Sequence, residues 1–205
     1  MKKSPSLLVL VLIASALALT ACGGGGSSSS GGSGEEEAIA QVIEKSATTT
    51  DPSKCTELQT QAFNEQEKDV SGKEATEVCE EAAEGDETVA ESVNVSDIKV
   101  EGEKATAVAK VEGTALNDQG VEIELVSEEG NWKLNKFLGF ASYDGQALAE
   151  ALETEFEKEE GISAALGKCV AEGVAKFSQA EAEEVAFEGE TQGLEELAQS
   201  CEAAE

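Results

Sequence analysis

Cysteine is the residue type with the most specific chemistry in this chain of 205 residues. The five cysteines are Cys22, Cys55, Cys79, Cys169 and Cys201. The chain has no histidine and all 14 of its basic residues are lysine, so catalytic triads and metal sites built on imidazole are excluded. No two cysteines have the Cys-x-x-Cys spacing of a zinc site. The chemistry left to the thiols is disulfide formation or covalent modification, and no cofactor or metal is expected.

Cys22 follows a segment with the features of a secretory signal. Lys2 and Lys3 give the segment a basic start, and the apolar run Leu-Leu-Val-Leu-Val-Leu-Ile-Ala-Ser-Ala-Leu-Ala-Leu follows. This run is too short to be a convincing spanning helix. The segment therefore predicts export of the chain.

The tetrapeptide Leu-Thr-Ala-Cys that ends at Cys22 resembles the lipobox of bacterial lipoproteins. The resemblance implies removal of residues 1–21 and a thioether bond between Cys22 and diacylglycerol. At about 0.8 kcal/mol per buried methylene, two or three acyl chains hold a domain at a membrane. The predicted location is the cell membrane, lipid-anchored, on the extracytoplasmic side. The alternative is an ordinary signal peptide whose cleavage site happens to precede a cysteine.

Residues 22–34 comprise the predicted lipidated cysteine and a tether made only of glycine and serine. Such a segment behaves as a flexible coil, and twelve residues give a root-mean-square reach of about 20 Å. The first folded element is therefore expected to stand clear of the lipid headgroups.

The net charge of −29 limits the partners of the protein. Nucleic acid is excluded, since recognition of phosphates begins with basic residues that release counterions. An anionic bilayer surface repels such a body as well. Solubility or salt tolerance is the simplest explanation of the acidity, and no aspartate-rich loop has the spacing of a calcium site.

The four cysteines after Cys22 are an even number in an exported chain, which predicts two disulfides. Three pairings are possible in principle. Each half of the chain holds two of these cysteines on separate predicted helices, so we predict Cys55 with Cys79 and Cys169 with Cys201. Each bridge contributes about 3–4 kcal/mol in the chain-entropy description.

The apolar pattern of residues 35–141 changes its period from helix to strand. Three helices are predicted first: one that carries Ile39, Val42, Ile43 and Ser46 on a single face, a second that begins after Asp51, and a short third around Cys79. Four strands with period 2 follow, joined by turns that contain glycine. The helices must cover the buried face of the sheet.

The segments Cys-Thr-Glu-Leu-Gln-Thr-Gln-Ala-Phe, Val-Cys-Glu-Glu and Gly-Asn-Trp-Lys-Leu, with the strands between them, resemble the nuclear transport factor 2-like (cystatin-like) superfamily. Within it they are similar to small secreted actinobacterial lipoproteins. The resemblance implies a curved antiparallel sheet wrapped around helices, often with a conical cavity. It implies no single activity, because this shell houses isomerases, dehydratases and binding modules.

Residues 142–205 return to a helical pattern, in which Ser178 and Glu181 fit a capping box at a helix start. They predict a small subdomain joined by the second disulfide. The predicted fold class is therefore α+β: three N-terminal helices packed on a curved four-stranded antiparallel sheet, followed by a small helical subdomain. How the subdomain packs on the sheet does not follow from the pattern.

No residue stands out as catalytic. Asp97 interrupts the first strand and is read as a bulge, Asp144 is read as the cap of the next helix, and Tyr143 is the only tyrosine. Trp132 is assigned to the core or to a cavity rim. The sequence therefore favours a non-catalytic module of the cell envelope that binds a small ligand or an envelope protein. The alternative is an isomerase or hydrolase-like enzyme that uses carboxylates in the cavity.

We predict that Cys22→Ser abolishes membrane attachment, because the lipid on Cys22 is the expected anchor. The variant is expected to be secreted or retained unprocessed with an unchanged fold. Shortening Gly23–Gly34 is the control, since it should reduce reach and leave anchoring intact. The measurement is cell fractionation with metabolic labelling by a fatty acid. Equal labelling of wild type and Cys22→Ser contradicts the anchor.

Overall fold

Four consecutive strands form one antiparallel sheet in the order β1-β2-β3-β4. The computed structural model describes residues 32–85, 89–157 and 162–203. The strands are β1 (Ser92–Glu101), β2 (Lys104–Glu112), β3 (Gly120–Glu128) and β4 (Asn131–Ser142). The sheet and its helices confirm the predicted α+β class.

The buried face of the sheet follows from the alternation of the sequence. Val121, Ile123 and Leu125 of β3 are buried, whereas Glu122 and Glu124 between them are half-exposed. A one-residue change of register would turn the apolar set toward solvent, so the pattern fixes the pairing.

Asp97 lies where the pairing of β1 with β2 shifts, between Ser96 and Lys99. Its φ of 51° is in the left-handed region, which aspartate tolerates better than most residues. The structure thus confirms a bulge at Asp97, and this residue is exposed on the edge strand.

In the described residues four helices precede the sheet, whereas the sequence predicts three. They are α1 (Gly32–Thr48), α2 (Lys54–Glu57), α3 (Gln61–Lys68) and α4 (Lys73–Glu84). Because α1 begins at Gly32, the last three residues of the predicted tether belong to its first turn. The predicted second helix is divided into α2 and α3.

The division of that helix has a hydrogen-bonding cause in β4. The Leu134 amide donates to the Leu58 carbonyl at 2.9 Å, and the Thr60 amide donates to the Leu134 carbonyl at 2.9 Å. Gln59 consequently pairs with Leu134 like a residue of a parallel strand. Backbone groups used in this way cannot also continue a helix. The Thr60 hydroxyl then caps α3 by accepting from the Phe63 amide.

Within the part of the chain that the structure describes, four helices follow the sheet: α5 (Gly145–Phe156), α6 (Ala164–Val174), α7 (Gln179–Phe187) and α8 (Gln192–Glu202). Asp144 caps α5 by accepting from two amides, and Ser178 forms a capping box with Glu181 at the start of α7. Both caps confirm the sequence prediction. These helices belong to the same compact unit as the sheet, Gly31–Glu205, and α7 packs directly on β4.

The outer edge of β4 is covered at two further points by side chains. At Phe137, the amide donates to Gln66 Oε1 at 2.8 Å and the carbonyl accepts from Gln66 Nε2 at 3.1 Å. At Phe140, the amide donates to Glu183 Oε1 at 2.8 Å and the carbonyl accepts from Gln179 Nε2 at 2.8 Å. An edge that would otherwise be open to pairing with another chain is thereby satisfied internally.

An aromatic cluster fills the junction of α3, β4 and α7. The ring centroid of Phe137 lies 4.7 Å from that of Phe63 and 5.3 Å from that of Phe187. Phe140 adds contacts at 4.9 Å to Phe187 and 5.3 Å to Tyr143. Five of the eight aromatic residues of the chain therefore pack together where α3 and α7 contact β4.

The structure pairs the four cysteines as the sequence predicts. Cys55 bonds Cys79 with a Cα–Cα distance of 6.0 Å and joins α2 to α4. Cys169 bonds Cys201 with a Cα–Cα distance of 5.8 Å and joins α6 to α8. Cys22 lies outside the described residues.

We predict that Gln66→Met destabilises the fold by about 2–3 kcal/mol, because the Phe137 amide and carbonyl both lose their partner. The matched control is Gln61→Met on the same helix, since Gln61 is exposed and its side chain bonds Glu65 alone among the described residues. Its effect should stay within about 0.5 kcal/mol. Urea unfolding measures both. Equal effects of the two substitutions would show that Gln66 does not secure the edge.

Candidate ligand-binding cavity

A cavity of about 480 Å³ lies between the sheet and the helices that precede it. Its size falls within the range of small-molecule sites in proteins, which span roughly 300–1,000 Å³. The lining combines side chains of α1, α2 and α3 with inward residues of β2, β3 and β4. Among these elements, α3 and its connection to α2 are also held at the edge of β4.

The wall of the cavity is mainly apolar. β3 contributes Val121 and Ile123, β4 contributes Leu134 and Phe137, and α1 contributes Ile43. These residues come from the alternating pattern of the strands and from the apolar face of α1. An apolar wall of this kind favours the apolar part of a ligand, because burial there removes surface from water.

The space is open because the side chains of β2 are small. Ala105, Ala107 and Ala109 occupy the three consecutive inward positions of the strand, and each is at least 98% buried. Protein interiors are usually filled to the density of organic crystals. Ala109, the one of the three alanines that lines the cavity, leaves room that a larger residue would occupy.

Three polar side chains in the lining are almost fully buried. Ser46, Gln59 and Lys54 are 4%, 4% and 5% exposed. Gln59 Nε2 donates to Ser46 Oγ at 3.0 Å. The backbone carbonyl of Lys54 accepts from the Gln59 amide at 3.1 Å, so the three residues belong to one region of the wall. We name Ser46, Lys54 and Gln59 the polar cluster.

Two carboxylates in the lining are less buried than this cluster. Glu67 on α3 is exposed and Glu155 on α5 is half-buried. The acidic groups therefore mark the more accessible part of the cavity, and the polar cluster marks its more buried part.

The sequence candidates for catalysis do not lie in this cavity, as far as the described residues show. The Asp144 carboxylate caps α5, and Asp97 is exposed on β1. Trp132 is 8% exposed and lines a different groove, between α1 and the β3–β4 turn. Trp132 is therefore a core residue, one of the two positions that the sequence allowed, and does not lie at the rim of this cavity.

Tyr143 is also engaged in structure. Its hydroxyl donates to the Phe177 carbonyl at 3.2 Å. Burial raises the pKa of Tyr143, and the nearby carboxylates of Glu181 and Asp144 raise it further. The phenol therefore stays protonated and holds the start of α5 to the end of α6.

The sequence did not single out Lys54 or Gln59. From the sequence alone, Lys54 is expected at the surface, because lysines are mostly exposed. Its burial depends on how α2 packs. Ser46 gave a weak signal, because it is the polar member of the otherwise apolar face of α1. That signal identifies the cavity side of the helix once the sheet is in place.

The described residues contain no group of three or more cysteine, aspartate or glutamate side chains that could hold a metal ion. Within the same ranges, no helix is both long and apolar enough to cross a bilayer. Comparisons of the chain with protein-family models, with curated proteins and with solved structures find no match.

Proposed function

We propose that the protein is a lipid-anchored extracytoplasmic module that binds a small, mainly apolar ligand in the cavity. The observation that carries the proposal is a space of about 480 Å³ with an apolar wall and a small buried polar cluster. This combination is typical of binding sites, in which apolar contacts supply affinity and a few polar groups fix orientation.

The predicted lipobox at Cys22 supports the proposed location. The pairing of all four remaining cysteines as disulfides supports it too, because such bonds persist in oxidising compartments. The segment between Cys22 and the start of α1 contains only glycine and serine. About nine such residues reach roughly 15–18 Å, which is enough to keep the acidic body away from anionic headgroups.

The proposed fold type remains a nuclear transport factor 2-like domain. The helices followed by four antiparallel strands, with a cavity between them, support this resemblance. In the proposed arrangement the sheet is curved around α1, and α5 to α8 form the appended helical subdomain. The bulges that interrupt the pairing of β3 with β4 support the curvature, since bulges bend a strand.

An enzyme is the second candidate, and the presence of Glu67 and Glu155 in the lining favours it. Two carboxylates can act as general acid and base when their environments differ. Binding is the better proposal because the most buried polar groups are an alcohol, an amide and an amine. Conversion of a retained ligand by wild type, but not by Glu155→Gln, would establish the enzyme instead.

We predict that Ala109→Leu narrows the cavity and weakens ligand retention without loss of stability, because its methyl groups enter an existing space. Native mass spectrometry of the non-denatured body from its own host should show an added mass on wild type and a smaller bound fraction on Ala109→Leu. Urea unfolding should give Ala109→Leu a free energy equal to or above that of wild type.

The matched control is Ala105→Leu, on the same face of β2 but outside the lining. Overpacking there should cost about 1–3 kcal/mol. Equal destabilisation by the two substitutions would mean that Ala109 does not border an open space. A wild-type protein that carries no added mass, and that binds neither isopropylbenzene nor acetophenone in an NMR titration, would overturn the binding function.

A further inference from the structure

We propose that the ligand of the cavity is an amphiphilic cation, whose apolar tail occupies the cavity and whose ammonium group lies in an acidic groove beside it. This inference rests on the proposed binding function and adds the charge of the ligand. The chemical class is an amine or a quaternary ammonium compound with an apolar tail.

A groove of about 350 Å³ adjoins the more accessible part of the cavity. Thr114 and Glu155 line both spaces, so the groove and the cavity share a border. The walls of the groove come from the residue before β1, from the loop between β2 and β3, and from α5. We name it the acidic groove, after its carboxylates Glu91, Asp118, Glu150 and Glu155.

The charge of the acidic groove is of one sign. Glu91, Asp118 and Glu150 are exposed, and the described residues that line the groove include no lysine. Asp118 and Glu150 accept from neutral amides, those of Asn117 at 3.0 Å and Gln146 at 3.1 Å. Clefts lined by one sign of charge raise the local concentration of ions of the opposite sign. An ammonium group is therefore attracted to this groove.

The carboxylates need the cavity to become a binding site. Exposed charges alone hold a cation weakly, because water and salt screen them. The apolar wall beside the groove, which includes Leu116, Val121 and Ile123, gains free energy by burying a hydrocarbon tail. When both parts act on one molecule, the buried tail keeps its ammonium group near the carboxylates.

The loop that carries Asp118 is held in position by its own hydrogen bonds. The Gly113 amide donates to Asn117 Oδ1 at 3.2 Å. At the end of the loop, the fully buried Gln119 bonds the amide and the carbonyl of Asp144. The wall of the groove is thus formed before a ligand arrives, which lowers the cost of binding.

The more buried part of the cavity suits the apolar end of the ligand. Ser46 and Gln59 bond each other there at 3.0 Å, so this part does not require a polar group on the ligand. An anionic ligand would have to place its charge beside the carboxylates of the groove or within the apolar wall, and both positions are unfavourable. The tail therefore points inward and the ammonium group outward.

Three probes with the same alkyl tail test the inference: octylamine, octanol and octanoate, which are cationic, neutral and anionic at neutral pH. NMR titration of the purified protein measures the ratio of the dissociation constants of octanol and octylamine. At low salt we expect octylamine to bind about tenfold more tightly than octanol, the combined effect of several exposed carboxylates. Octanoate should bind most weakly. Added salt should reduce the preference for octylamine, because it screens the groove.

The test variant combines Glu91→Gln, Asp118→Asn and Glu150→Gln. Each substitution removes one negative charge and retains a side chain of nearly the same shape. Asparagine tolerates the φ of 63° at position 118, which lies in the left-handed region. The variant should lose most of the preference for octylamine, whereas its affinity for octanol should stay as in wild type.

The matched control combines Glu184→Gln, Glu188→Gln and Glu196→Gln. These residues line a groove on α7 and α8 that shares no lining residue with the cavity or the acidic groove. The control changes the net charge by the same amount, so it isolates the position of the charges from their number. It should keep the preference of wild type. Amide spectra of each variant verify the fold.

The outcomes separate this inference from the binding function. If octanol and octylamine bind wild type equally, and Ala109→Leu weakens both, the cavity is a binding site and the cationic class is wrong. Equal loss of the preference in the two triple variants would assign it to net charge, which also overturns the inference. If wild type binds none of the apolar probes, isopropylbenzene included, the binding function fails and the inference fails with it. Loss of the preference in the test variant alone supports the inference.

Discussion

The outer edge of β4 is the constraint on which the arrangement of the helices depends. A strand at the end of a sheet has amide and carbonyl groups that need partners. Three separate segments supply them: the backbone of Leu58 to Thr60 at Leu134, the Gln66 side chain at Phe137, and the Gln179 and Glu183 side chains at Phe140. Each contact commits one helix or helix connection to a fixed position along β4. The cavity follows in part, because α3 and its connection to α2 are held beside a sheet face on which Ala109 does not fill the space.

Glutamine side chains satisfy backbone amide and carbonyl groups at more than one place in the structure. A glutamine amide carries one donor group and one acceptor, so it can pair with a backbone peptide group as a neighbouring strand does. Gln66 pairs in this way with Phe137, and Gln119 pairs with the amide and carbonyl of Asp144. The two disulfides secure the helices on either side of these contacts. Their cysteines are separated by 24 and 32 residues, which makes each bridge worth about 3–4 kcal/mol in the chain-entropy description.

The features that could be predicted from sequence are those set by local chemistry. The alternation of apolar and polar residues predicted the four strands, and Asp144 and Ser178 predicted the N-terminal caps of α5 and α7. The positions of the cysteines along the chain predicted their pairing. The division between α2 and α3 could not be predicted, because Leu58 to Thr60 have a helical pattern and are diverted by Leu134, a residue far along the chain. The buried position of Lys54 could not be predicted either, because it depends on how α2 packs. The packing of the C-terminal helices depends on Glu183 and Gln179, which read as ordinary surface residues until α7 is placed beside β4.

Hydrogen exchange at three amides of β4 tests the account most directly. Leu134, Phe137 and Phe140 donate outward, away from β3, to Leu58, Gln66 and Glu183. If these contacts hold the helices in place, the three amides should exchange only through opening that approaches global unfolding. Their protection should then equal that of the β2 and β3 amides in the middle of the sheet. Exchange at the rate of an exposed strand edge would contradict the claim that the helices are fixed by the edge of β4.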